Sequence, residues 1–231
     1  MSFVWTEEKI KLYKRASEYT LFNEELAEIL LNTIGRKRTI YDIGCGLSYL
    51  SLSLSEHSEK IFCIDINKEV IGKLNKIILE KSIDNIETIN KDYRTVLEEK
   101  KFVDCIIASH FLDMNYNLEF LLDKCKTLVI IKNTSRRKGL YDLKKQKIED
   151  VEKILQNKKI DYKKIIYNGE FGQPLKNLKE AKEYYNSYSS SKLDENRVKG
   201  KLININNKNY PYYLPKYKNI GILVIGRCNI D

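Results

Sequence analysis

"TIYDIGCGLSYLSLSLSEHSEKIFCID", residues 39–65, is the stretch on which the fold turns. An apolar run ends in Gly44 and Gly46, Asp42 stands two residues ahead of the first glycine, and a second apolar run, "KIFCID", stops at Asp65. A strand that ends in a glycine turn lets the backbone approach a ligand closely, because glycine has no Cβ and tolerates positive φ. The dinucleotide fingerprint GxGxxG needs a third glycine at position 49, where Tyr49 stands, so NAD is a poor fit. Asp42 would repel a pyrophosphate. It suits a ligand that carries a cationic amino group.

Outward from this stretch, strand-like and helix-like segments alternate. Residues 6–34 read as two helices, the second with Leu26, Ile29 and Leu30 on one face. "TIYDIG" reads as a strand, followed by a helix from about Ser48, the strand "KIFCID", and a helix from Asn67 with Val70, Ile71, Leu74, Ile77 and Ile78 at helical spacing. The strands "NIETIN", "FVDCIIAS", "TLVIIK", "DYKKIIYNGEF" and "NIGILVIG" continue the rhythm. Strands alternating with helices imply a parallel, helix-covered sheet with its ligand site at the carboxyl ends of the strands.

The residues "DIGCGLS" resemble the SAM-binding motif of class I methyltransferases, with Ser48 where that family often has glycine. The resemblance runs from about residue 20 to 133 and rests on an ordered set rather than on the glycines alone. It implies a Rossmann-like α/β fold: a seven-stranded, mostly parallel sheet in the order 3-2-1-4-5-7-6, helices on both faces, and S-adenosyl-L-methionine (SAM) as cofactor. It assigns Asp42 and the turn Gly44, Cys45 and Gly46 to the cofactor, Asp65 to the ribose hydroxyls with Ile66 beside it, and Asp92 of "NKDY" to the adenine amino group with Tyr93 flanking the ring. Ser109 and His110 fall at the mouth of the fourth strand, where Ser109 is assigned to the cofactor and His110 is the candidate base. Tyr19, in "SEYTLF" of the N-terminal helices, is the further candidate catalytic residue, placed by the resemblance at the methionine end of the cofactor. Taken singly, Asp65 also suits a helix N-cap and Asp92 a turn.

The resemblance further implies that the sixth and seventh strands pair antiparallel, so that the joint between them overhangs the acceptor. That joint runs from about Phe171 to Lys218, far longer than a hairpin loop, and reads as a helical lid. One methyltransferase domain is therefore expected, with N-terminal helices over 1–36, a SAM-binding core over 37–170, the lid over 171–218 and the last strand over 219–231. Tyr184, Tyr185, Tyr188, Tyr210, Tyr212 and Tyr213 crowd the lid and supply stiff amphipathic surface. The leading expectation is thus a small-molecule acceptor enclosed by tyrosines, with a reaction rate insensitive to salt. An RNA or protein acceptor held by Arg136, Arg137 and Lys138 is the alternative, and a SAM-binding subunit without turnover is the third reading. Enzymes acting on exocyclic base amines carry an (N/D/S)PP(Y/F)-type turn after the fourth strand. Here it reads "SHFL", which argues against such amines.

Composition sets the bounds. The 231 residues suffice for one sizeable domain with a full core. No run approaches the ~18 apolar residues of a membrane span and the N-terminus lacks the apolar core of a signal peptide, so a cytoplasmic protein is expected. Cys45, Cys63, Cys105, Cys125 and Cys228 form no CxxC pair and read as free thiols, not metal ligands. The net charge of +9 comes with 41 Lys and Arg. Residues 132–164 hold twelve of those bases against five acids, a run that reads as a solvated helix face or as an electrostatic footprint for a polyanion.

Overall fold

The computed structural model describes residues 5–36, 38–100, 102–135, 146–189 and 192–226. Two helices come first. α1 (Glu7–Tyr19) is capped by Thr6, whose hydroxyl accepts from the N–H of Lys9, and carries Glu7 and Glu8 in its first turn, where the helix dipole favours acids. α2 (Phe22–Ile34) buries Leu26, Ala27, Leu30 and Leu31.

Alternation then takes over. β1 (Thr39–Ile43), α3 (Tyr49–Leu54), β2 (Lys60–Ile64), α4 (Lys68–Glu80), β3 (Ile86–Ile89), α5 (Tyr93–Glu98), β4 (Val103–Ser109), α6 (Met114–Leu122), β5 (Cys125–Asn133), α7 (Ile148–Asn157) and β6 (Lys163–Glu170) follow in turn. The Asn67 side chain caps α4, whose Val70, Ile71, Leu74 and Ile77 are buried as their spacing requires. β4 and β5 sit mid-sheet with Ile106, Ile107, Leu128, Val129, Ile130 and Ile131 fully buried, the continuous apolar run expected of strands covered on both faces.

After β6 the chain makes β7 (Gln173–Leu175), α8 (Leu178–Tyr188), α9 (Glu195–Lys199), β8 (Ile203–Asn204) and β9 (Tyr212–Leu214) before β10 (Tyr217–Gly226). The main sheet has the order β3-β2-β1-β4-β5-β10-β6, which is 3-2-1-4-5-7-6 once the short strands of the insertion are set aside. β1 pairs parallel with β2 and β4, as do β2 with β3 and β4 with β5. β10 runs antiparallel to β5, with Ile222 opposite Ile131. The insertion is helical as expected, and it also holds a three-stranded antiparallel sheet in the order β7-β9-β8. Strands of two or three residues are too short for alternation to announce them.

The described residues form two compact units. One comprises residues 23–135, 146–167 and 220–226 and holds the main core, including Ile43, Ile64, Leu97, Ile106, Met114, Leu128 and Leu223. The other comprises residues 5–22 and 168–219, so that α1 belongs with the insertion. Within it, Leu175, Ala181, Val198 and Leu214 make a small core. Arg15 of α1 donates to the Pro174 carbonyl and pairs with Glu180 at 3.0 Å.

Because Leu175 and Tyr212 are paired neighbours, a short glycine-serine loop replacing residues 177–209 would close β7 onto β9 as a hairpin. That variant is expected to fold and to bind SAM within about tenfold of the parent, a loss of ~1.4 kcal/mol or less. Calorimetry with SAM checks it. An unfolded product would show that the insertion is required by the main core.

Candidate functional site

The glycine turn is built by sign of φ. Gly44 and Gly46 adopt +65° and +58°, and Ser48, in place of the family's frequent glycine, adopts +48°. The turn is tied down on both sides. Cys45 N–H donates to the Ile64 carbonyl at 3.1 Å, and Gly46 N–H to Asp65 Oδ2 at 2.9 Å.

Ser48 is held by its side chain, which donates to Asp42 Oδ2 at 2.5 Å, and Ser51 donates to the same oxygen at 2.7 Å. Asp42 is buried, 4% exposed. Burial pushes its carboxyl up to about 6, opposed by the two serine hydroxyls and reinforced by the nearby charge of Asp65. A folded pKa above the ordinary value means that the stabilising contribution is complete below the ordinary carboxylate range and is lost as pH rises through 6. At pH 7 the ionised Asp42 therefore costs the fold stability, about 3 kcal/mol at ~1.4 kcal/mol per factor of ten in the proton equilibrium.

Asp65 ends β2 and uses both oxygens, Oδ2 for Gly46 N–H and Oδ1 for Asn67 N–H at 2.9 Å. Each carboxylate oxygen keeps a second lone pair for a ligand. The helix cap is Asn67, not Asp65. Ile66 beside it is 66% exposed, an apolar surface for a flat ring to cover. Asp92 is exposed and caps α5, accepting from Arg94 N–H through one oxygen. Tyr93, expected to flank the adenine ring, is held by its neighbours in the core. It is 6% exposed, its hydroxyl donates to Asn117 at 2.6 Å, and its ring lies edge-on to Phe111 and Phe120.

Ser109 is half-buried at the end of β4, and His110 is exposed just beyond it, its N–H donating to the Ile131 carbonyl at 2.8 Å. His110 and Leu112 adopt φ of +53° and +56°. Between them Phe111 presses on the glycine turn so closely that a Cβ on Gly44 would lie 2.4 Å from Phe111 Cγ. Lys132 of β5, 4% exposed, donates through Nζ to the carbonyls of Phe111 and Leu112 at 3.2 and 2.7 Å. Sequence reading missed Phe111 and Lys132.

Tyr19 belongs to the other unit. There it is 43% exposed, with its ring 5.0 Å from that of Tyr213. Tyr213 is buried and its hydroxyl donates to Glu170. Tyr184, Tyr185 and Tyr212 pack against the insertion's own core, and Tyr210 lies under the Arg15 guanidinium at 4.2 Å. Arg136, Arg137 and Lys138 lie outside the described residues, as do the side chain of Tyr188 and Cys228. Cys63, Cys105 and Cys125 are buried free thiols, and Cys45 is a half-buried one. Among the described residues no cluster of three His, Cys, Asp or Glu is placed to hold a metal. None of the described helices is long and apolar enough to cross a membrane.

The donor set fits SAM: a buried carboxylate for the amino group, a second carboxylate for vicinal hydroxyls, an exposed isoleucine for the adenine face, and a backbone turn open to close approach. The sheet order and the glycine turn after β1 are those of the class I, Rossmann-like methyltransferase fold. A family model described as a methyltransferase domain matches residues 40–129. The chain is 32% identical over 97 residues to the Ribosomal RNA small subunit methyltransferase A of Mesomycoplasma hyopneumoniae, a match that spans 42% of this chain and 36% of that relative. Among solved structures, the YcgJ protein of Bacillus subtilis shares the fold with a TM-score of 0.55 at 14% identity, covering 88% of this chain and 98% of that one. The precorrin 8W decarboxylase of Methanobacterium thermoautotrophicum does so with 0.52 at 14% identity, covering 87% and 89%.

Pairing of an ionised Asp42 with the cofactor's ammonium would make binding pH-dependent. As pH falls through 6 the carboxyl takes a proton and the pairing is lost, so the SAM Kd is expected to rise about tenfold from pH 7 to pH 5. Titration calorimetry across that range checks it, and Asp42→Asn should flatten the profile.

Proposed function

We propose that the chain transfers the methyl group of SAM to RNA, at an atom other than an exocyclic base amine. The observation that carries this reading is the 32% identity to an enzyme whose name makes ribosomal RNA its substrate. The net charge of +9 agrees with a polyanionic acceptor. A small molecule enclosed by tyrosines is the less supported reading: Tyr184, Tyr185, Tyr210, Tyr212 and Tyr213 have packing partners inside the insertion's own unit.

Bound SAM supplies an electrophilic methyl group on a sulfonium sulfur. Asp42 would pair with its ammonium, the backbone of Gly44, Cys45 and Gly46 would lie along its chain, Asp65 would accept from the ribose hydroxyls, Ile66 would cover one face of the adenine, and Asp92 would accept from the adenine amine with its free oxygen. Ser109 and His110 border the acceptor at the end of β4. Holding acceptor and methyl in line provides much of the acceleration for such a displacement. A ring nitrogen with a lone pair needs no base, whereas a ribose hydroxyl gives its proton to His110.

The test is incubation with methyl-labelled SAM and, in parallel, ribosomal RNA, a protein extract and a small-metabolite extract. Label in RNA digests, on a nucleoside not modified at its exocyclic amine, is expected. Label confined to the metabolite fraction would restore the small-molecule reading.

A further inference from the structure

We infer that Lys132 is a positioning residue, which fixes the loop after β4 against the glycine turn and so sets the affinity of the cofactor site. Three observations converge on it. The loop takes an unusual path, with two residues other than glycine, His110 and Leu112, in left-handed conformation on either side of Phe111. Residues with a Cβ adopt that conformation only where the surroundings over-determine it. Lys132 supplies that determination from below, since its ammonium donates to both carbonyls that the twisted backbone turns inward, those of Phe111 and Leu112. The same path seats the Phe111 ring on Gly44, where no side chain larger than hydrogen fits.

Placement on β5 makes this reach available. β4 and β5 pair through Ser109 and Ile131, and the ladder runs one bond further, from His110 N–H to the Ile131 carbonyl. Lys132 is the next residue, under the loop. From the other end, Gln146 holds the start of α6 by accepting from Met114 N–H and donating to Asp113. The loop is thus pinned at both ends, and the Phe111 ring is driven into the turn that carries Gly44 and Gly46. Lys132 acts through Phe111; it is not itself placed on a ligand.

The inference is independent of the acceptor, so its test needs none. Backbone amide exchange in the free protein and calorimetric binding of S-adenosylhomocysteine are measured for Lys132→Met, Lys132→Arg, Phe111→Ala and the Lys132→Met, Phe111→Ala double variant. Lys132→Met is expected to speed exchange at residues 44–46 and 110–113 at least tenfold, leave α4 and β3 unchanged, and weaken the ligand about tenfold. Lys132→Arg, which keeps the donors, should recover most of the affinity. In the double variant the two losses should not add, because Lys132 works through the ring. Faster exchange throughout the sheet with unchanged affinity, or fully additive losses, would overturn the inference. If Lys132→Met does not fold, Phe111→Ala alone decides: unchanged exchange at residues 44–46 and unchanged affinity would show that the ring fixes nothing at the turn.

Discussion

Asp65→Ala is expected to bind SAM about 10²–10³ times more weakly than the parent, because two charge-assisted hydrogen bonds to the ribose are worth ~3–4 kcal/mol together. The same side chain accepts from Gly46 N–H and Asn67 N–H, so its removal also frees the turn and leaves the amide of a buried glycine without its partner. Asp92→Ala should lose less than about tenfold, since an exposed carboxylate contributes a single contact to one amine and its helix-capping role is served in part by water. Asp65→Asn keeps an oxygen for one amide but loses the charge, and should fall between. Calorimetry with SAM and its demethylated product gives all three values. Equal losses at the two positions, or a larger one at Asp92, would mean that the roles of the pair are misassigned.

The difference between these two acids shows what could and could not be read without coordinates. Seven sheet strands, the glycine turn and both acids were legible because buried parallel strands leave long apolar runs, and because a turn at their carboxyl ends needs residues that accept positive φ. Which oxygen of Asp65 meets which amide was not, since that depends on the register of β1 against β2. The burial of Tyr93 was not legible for a related reason. Its burial is decided by Asn117, its hydroxyl partner 24 positions away, and nothing local announces such a pairing. Phe111 and Lys132 were hidden more deeply. His110 and Leu112 turn left-handed without the glycine or asparagine that usually marks that conformation, and Lys132 ends an apolar run where a charged residue reads simply as the end of a strand. Ser48 offered the one usable signal: a polar residue at a position where glycine is common asks what holds it, and Asp42 is the answer. In the insertion, the tyrosines read as ligand surface because density alone does not show that a small core of four aliphatic residues needs them as walls.

The choice of acceptor carries the largest expected effect. Methyl transfer to RNA should fall by several decades between ~50 and ~200 mM potassium chloride at subsaturating acceptor, because each phosphate neutralised by a base releases counterions and 6–10 such contacts give losses of about 10³–10⁵. An acceptor enclosed by aromatic side chains would show no such slope. Arg136, Arg137 and Lys138 stand three to five positions beyond Asn133, the last residue of β5, and β5 borders the strand that ends at Ser109 and His110. Replacing all three by alanine should therefore lower the rate at low salt and flatten the logarithmic slope by about one for each phosphate contact removed, while SAM affinity stays as it was. The comparison separates an electrostatic role from damage to the cofactor site, since a misfolded variant would lose SAM binding at every salt concentration. A flat profile for the parent, with the triple variant fully active, would return the acceptor to the class of small uncharged molecules and leave the basic run of residues 132–164 as a solvated face.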